Sequence, residues 1–172
     1  METPERTVLS MDQRVNKENY YLNIADAVLN RSTCMRRKYG AIIVKNDEIL
    51  STGYNGAPRG RVNCTALGYC NREQLNIPSG QRYELCRSVH AEANAIISAA
   101  RRDMIGGTLY LVGRDAKTGA LLHDTTSCAM CRRMIINSGL SRVVNRIGEN
   151  DLTVVDVQDW IDHDESIQPK AE

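Results

Sequence analysis

The chain has 172 residues, of which 22 are basic and 21 acidic, for a formal net charge of +1. That length suits one domain, residues 1–172, with a core large enough to fold unaided. The balanced charge and the lack of a basic block exclude the electrostatic footprint of a long nucleic-acid binder, though not a small anionic substrate. No apolar run is long enough to span a bilayer, and Met1 to Arg14 is polar and mixed in charge, unlike a secretory signal. A cytoplasmic protein that does not engage membranes is the expectation.

In chain order, residues 1–15 form a polar extension with no assigned role. Lys17 to Arg31 has helical periodicity, with Tyr21, Ile24, Ala25, Val28 and Leu29 along one stripe. Gly40 to Val44 and Ile49 to Thr52 are strand-like runs separated by Lys45-Asn46-Asp47-Glu48, a hairpin signal. Gly53 to Gln81, rich in Gly, Pro, Asn and Cys, reads as a long irregular loop, and loops of that length are usually functional or pinned. Ser88 to Arg101 reads as a helix with Ala93, Ile96, Ile97 and Ala100 on one face. Thr108 to Val112 reads as a buried strand, and Cys128 to Asn137 as a helix ending near a left-handed cap at Gly139. Arg142 to Ile147 and Thr153 to Val157 are further strands. Trp160 belongs to a short helix before a charged tail at 162–172. Two opening strands followed by strand–helix alternation predict an α/β domain, a mixed central sheet flanked by helices.

The six cysteines lack a secretory context, so metal binding or catalysis is favoured over disulfides, with buried inert thiols as the alternative. The strongest pattern is His90-Ala91-Glu92 followed by Cys128-Ala129-Met130-Cys131, each at a predicted helix start with a strand between them. His90, Cys128 and Cys131 supply three ligands of the kind zinc prefers and leave a fourth tetrahedral position for water, as in catalytic sites. Cys128 and Cys131 are three apart, hence on one helical face. A helix N-terminus also favours the thiolate. His90 and Glu92 are two apart, so both can serve one site only at the opening turn, where Ser88 is a plausible cap. Glu92 then suits proton transfer rather than ligation. A purely structural zinc would leave Glu92 without a role.

On these motifs the chain resembles the cytidine deaminase superfamily, and within it the deoxycytidylate deaminases. The likeness runs from about Arg31 to Val144. Arg31 to Ala41 looks like the family's first strand and its lead-in. Ser51 to Gly60, with Gly53-Tyr54-Asn55-Gly56, looks like its second strand and signature loop. His90 to Ile96 looks like the catalytic helix and Cys128 to Leu140 the second zinc helix. The resemblance implies a three-layer cytidine-deaminase-like fold and zinc-dependent hydrolysis of dCMP to dUMP and ammonia. It implies that His90, Cys128 and Cys131 bind zinc, that Glu92 is the general acid/base, and that Asn55 contacts sugar and base. An ordinary Asn-Gly turn is the alternative for Asn55.

Some members of the family carry a second zinc, which Cys34, Cys64, Cys70 and Cys86 could hold as a closed site pinning the long loop; buried free thiols are the alternative. Arg36, Arg37 and Arg59 are candidates to meet a 5′-phosphate, or else solvated surface residues. Relatives suggest a hexameric homo-oligomer with dCTP and dTTP as effectors. One departure stands out: Ser127 occupies the place of the family's usual proline, leaving the loop from Arg114 to Thr126 open to question. His123 within it reads as a solvated loop residue, with a pocket role as the alternative. Competing functions are deamination of free cytidine or deoxycytidine, of a pterin-like or riboflavin precursor, or of tRNA adenosine, and, in a different class, a non-catalytic zinc-binding assembly module.

Overall fold

Five strands and seven helices follow one another over residues 14–167, the part of the chain that the computed structural model describes. The first thirteen residues of the polar extension and the last five of the charged tail lie outside it. Helix α1 (Lys17–Leu29) begins where the Asn16 side chain accepts a hydrogen bond from the Asn19 amide at 2.9 Å. It buries Tyr21, Leu22, Ala25 and Leu29, the stripe that the periodicity predicts save for a one-residue rotation. Strands β1 (Arg37–Lys45) and β2 (Glu48–Tyr54) form the expected hairpin. Asn46 and Asp47 take φ of 52° and 64°, the left-handed pair that a tight two-residue turn requires.

Between β2 and the next long helix the chain makes an excursion that is not wholly irregular. It contains α2 (Cys64–Leu67), α3 (Asn71–Gln74) and a 3₁₀ turn at Tyr83–Leu85. Its base is closed by paired bonds between Gly56 and Val89, at 3.2 and 2.8 Å, so the chain returns beside its point of departure. The expected helix from Ser88 to Arg101 is two helices: α4 (Ala91–Ile97) and α5 (Arg101–Met104). The break falls where the Ser98 hydroxyl turns back onto the Asn94 carbonyl at 2.8 Å. Strand β3 (Thr108–Asp115), helix α6 (Ala129–Ser138), β4 (Arg142–Arg146), β5 (Leu152–Asp156) and α7 (Val157–Asp162) complete the chain. Gly139 ends α6 at φ 82°, the anticipated left-handed cap.

The sheet order is β2-β1-β3-β4-β5, with β3 and β4 parallel and the other neighbours antiparallel. Alternate residues divide the core between its two faces. Ile42, Val44, Tyr110, Val112 and Val144 pack on α1. Ala41, Ile43, Leu109, Leu111 and Val143 pack on the opposite side, against Ala91, Ala95, Met104, Ile135 and Val157 from α4, α5, α6 and α7. The result is the expected three-layer α/β arrangement. Gly53 decides how near α4 can come to the sheet: a Cβ there would lie 2.2 Å from the Ala91 carbonyl oxygen and 2.4 Å from the Ala95 amide nitrogen. Among the described residues, no helix is long and apolar enough to cross a membrane.

Candidate active site

Two helix starts meet where α4 packs on β1 and β2 and against α6. His90 is the N-cap residue of α4 and Cys128 that of α6, and neither spends its side chain on capping. Both side chains are thereby free to turn toward each other, and Cys131 joins them from one helical turn further on. The His90 Nδ1 atom lies 3.5 Å from each of the Cys128 and Cys131 sulfurs. All three ligand atoms fall within 4.8 Å of one another, the one group of three or more such residues among the described residues. A tetrahedral zinc with Zn–S of about 2.3 Å and Zn–N of about 2.0–2.1 Å separates S from N by about 3.5–3.6 Å. The three side chains fit that ion, and one position is left over.

Glu92 is on the opening turn of α4, as the His-x-Glu spacing requires, and is only 4% exposed. Burial pushes its carboxyl above the ordinary range, against the pull of a backbone hydrogen bond and of His90. Cys128 behaves in the opposite way. Hydrogen bonding from the Cys131 thiol, and then from His90, brings its thiol well below the usual range despite partial burial. Cys131 keeps the shared proton and is pushed up by that same bond and by its own burial. Burial works against charge on His90, but the Cys128 and Glu92 charges raise it above its usual value. The cluster is thus one of mutually dependent protonation states, poised for a cation to replace the protons.

Ser88 lies two residues ahead of the α4 cap and does not cap the helix, contrary to expectation. Ser127 does not cap α6 either. It is 1% exposed and lies beside the Glu92 carboxyl. Thr126, just before it, lines the cleft, whereas His123 is exposed, with Nδ1 2.6 Å from the Ile147 carbonyl oxygen.

The cleft over this cluster is lined by Asn55, Arg36 and Arg37 as expected, and by Tyr39, Arg72 and Tyr83, which the sequence did not single out. Asn55 is not in a left-handed turn. Its Oδ1 accepts from the Tyr39 amide at 2.8 Å and the Ser32 hydroxyl at 2.6 Å, and its Nδ2 donates to the Arg37 carbonyl at 2.9 Å. Asn55 therefore braces the strand that carries the arginines, with one amide hydrogen left to offer the cleft. Arg36 pairs with Glu73 at 3.1 Å and Arg37 with Asp124 at 3.2 Å. Arg59 is exposed and lies outside the cleft lining. The chain turns away there, because the excursion departs just after Gly56.

The remaining thiols divide. Cys34, Cys70 and Cys86 line the cleft, and Cys64 is buried in α2 outside that lining. They are not gathered as tightly as the His90 group. Burial pushes the Cys86 thiol up, and the charges of Cys34 and Cys70 are felt there too.

Residues 15–146 match the family model described as the cytidine and deoxycytidylate deaminase zinc-binding region. Over 136 residues the chain is 38% identical to a deoxycytidylate deaminase of Mycobacterium phage D29, a match covering 76% of this chain and 94% of that one. Over 137 residues it is 33% identical to the deoxycytidylate deaminase of Schizosaccharomyces pombe, covering 80% of this chain and 39% of the longer yeast protein. Among solved structures, the dCMP deaminase of cyanophage S-TIM5 in complex with dCMP and dUMP superposes with a TM-score of 0.52 at 25% identity, over 77% of this chain and 84% of that one. With the family's zinc-binding region spanning most of its length and a His-Cys-Cys cluster at the corresponding helix starts, the chain belongs to the cytidine and deoxycytidylate deaminase family.

Proposed function

We propose that this protein hydrolyses dCMP to dUMP and ammonia, with His90, Cys128 and Cys131 holding zinc and Glu92 moving the protons. The observation that carries the reading is the placement of Glu92. It is buried at the same opening turn that presents His90 to the two cysteines, and it is not itself one of the three gathered ligands. When bound, zinc supplies a Lewis acid that makes water nucleophilic at neutral pH. Glu92 takes a proton from the attacking water and delivers it to N3 of the base. It then moves the proton of the new C4 hydroxyl to the amino nitrogen, C4=O forms as the C4–N bond breaks, and so one water is consumed and one ammonia released. The raised affinity of its buried carboxyl for a proton suits a group that must both accept and donate.

The relatives named deoxycytidylate deaminase, and the phage neighbour holding dCMP and dUMP, support the choice of substrate. In the same reading Asn55 meets sugar and base, and Arg36 and Arg37 add positive potential at the mouth. Cys34, Cys64, Cys70 and Cys86 hold a second zinc that ties down the excursion; Cys34, Cys70 and Cys86 share the cleft lining, and Cys64 must join them from outside it. A cytoplasmic homo-oligomer, hexameric and controlled by dCTP and dTTP, is carried over from the family resemblance. Ammonia release should be measured on dCMP, CMP, deoxycytidine and cytidine. Turnover of dCMP well above the nucleosides supports the reading, and equal turnover of deoxycytidine would remove the nucleotide from it.

A further inference from the structure

Among the arginines that line the cleft, Arg72 stands apart. It sits on the short helix α3 within the excursion, yet is only 6% exposed. Its Nη2 donates to the carbonyls of Pro78 at 2.8 Å and Gln81 at 2.6 Å, which hold the guanidinium in a fixed plane. That plane lies over the Tyr83 ring at 4.6 Å, and Tyr83 in turn meets the His90 ring edge-on at 4.9 Å. The three residues are thus layered from the metal-ligand cluster outward along one wall. Nε of Arg72 is buried and has no hydrogen-bond partner.

Arg36 and Arg37 each hold a carboxylate, but among the described residues none forms an ion pair with Arg72. Glu84, which feels its charge, is exposed and bonded to Arg82 at 3.0 Å. A buried guanidinium without a counter-ion is costly, and a well-placed anion offsets part of that cost. Carbonyl anchors and ring stacking cannot neutralise it, though they do pre-orient its planar fork.

We propose that Arg72 is the residue that reads the 5′-phosphate of the nucleotide, and so sets the preference for nucleotide over nucleoside. The inference rests on the nucleotide reading above and deepens it. With the base at His90 and Glu92, the sugar passes Tyr83 and the phosphate lies against Arg72. The excursion from Gly56 to Val89 is then a specificity element delivering one buried cation to the far end of the substrate.

The test compares kcat/KM for dCMP and deoxycytidine in the zinc-loaded wild type, Arg72→Gln and Arg72→Lys, with inorganic phosphate as inhibitor of deoxycytidine turnover. Loss of a charge-assisted contact should lower the dCMP-to-deoxycytidine ratio by about 10- to 10²-fold in Arg72→Gln. Arg72→Lys keeps the charge without the fork, so its loss should be smaller, and phosphate should inhibit both variants more weakly than the wild type. If both substrates slow in proportion in both variants, with the ratio and phosphate inhibition unchanged, Arg72 only pins the excursion and the proposal is overturned. A wild type with no preference for dCMP would instead overturn the nucleotide reading itself.

Discussion

Replacing Glu92 with glutamine removes the proposed proton carrier while keeping nearly the same volume and one oxygen. The side chain is 4% exposed, so shape matters, and glutamine is the variant that leaves no hole. General acid/base transfer typically contributes about 10²–10⁴-fold, or about 3–5 kcal/mol of barrier. Turnover of Glu92→Gln should fall by that amount, followed as ammonia release or as loss of cytosine absorbance. Zinc content, by elemental analysis, should stay at the wild-type level, because His90, Cys128 and Cys131 are untouched. The stability effect has a definite sign in metal-stripped protein. Burial raises the folded pKa of Glu92, so the folded state holds the proton more tightly than the unfolded chain. The stability from this group is present at acid pH and is lost as pH rises through the folded value. Glutamine has no such loss, so the Tm advantage of Glu92→Gln over the wild type should grow from acid to neutral pH. Zinc lost in proportion to activity would make Glu92 a ligand and refute the assignment.

Gly53→Ala should lower stability by about 3 kcal/mol and Tm by roughly 6–12 °C, since a Cβ at 2.2 Å from the Ala91 carbonyl must push α4 off the sheet. An unchanged Tm by calorimetry would show that the helix can yield. After chelation at neutral pH, Cys128 should be alkylated at least about 10-fold faster than buried Cys131, because the Cys131 and His90 hydrogen bonds hold its thiol well below the usual range, and bound zinc should protect it; mass mapping of the modified peptides checks both. The wild type should hold two zinc ions, with one retained in Cys131→Ser and one lost in Cys64→Ser. A single zinc in the wild type would remove the second site.

The sequence by itself determined most of the regular elements and the set of side chains that the two helix starts bring together. Period-two and helical apolar patterns mark the sheet and its flanking helices, because burial acts on every residue of a regular element. His90-Ala91-Glu92 and Cys128 to Cys131 are legible for a similar reason: one helical turn presents each set, so spacing alone prescribes which side chains can share a site. Gly139 is legible because a left-handed cap is a local demand of the backbone.

Tertiary structure decided the rest, and each case depends on residues far apart in sequence. Asn55 looks like a turn residue, yet its amide is occupied by Ser32, Arg37 and Tyr39, a commitment no dipeptide encodes. Ser127 looks like a cap but faces Glu92, brought there by the packing of α4 against α6. Arg59 lies within the signature segment and misses the cleft, whereas Arg72, in a stretch with no periodicity, reaches its wall. Arg72 gets there because the Gly56–Val89 bridge folds the whole excursion back over His90. Short-range periodicity carries no information about where a closed loop of that length will set its side chains, since long-range pairing and burial choose among many conformations of comparable local energy.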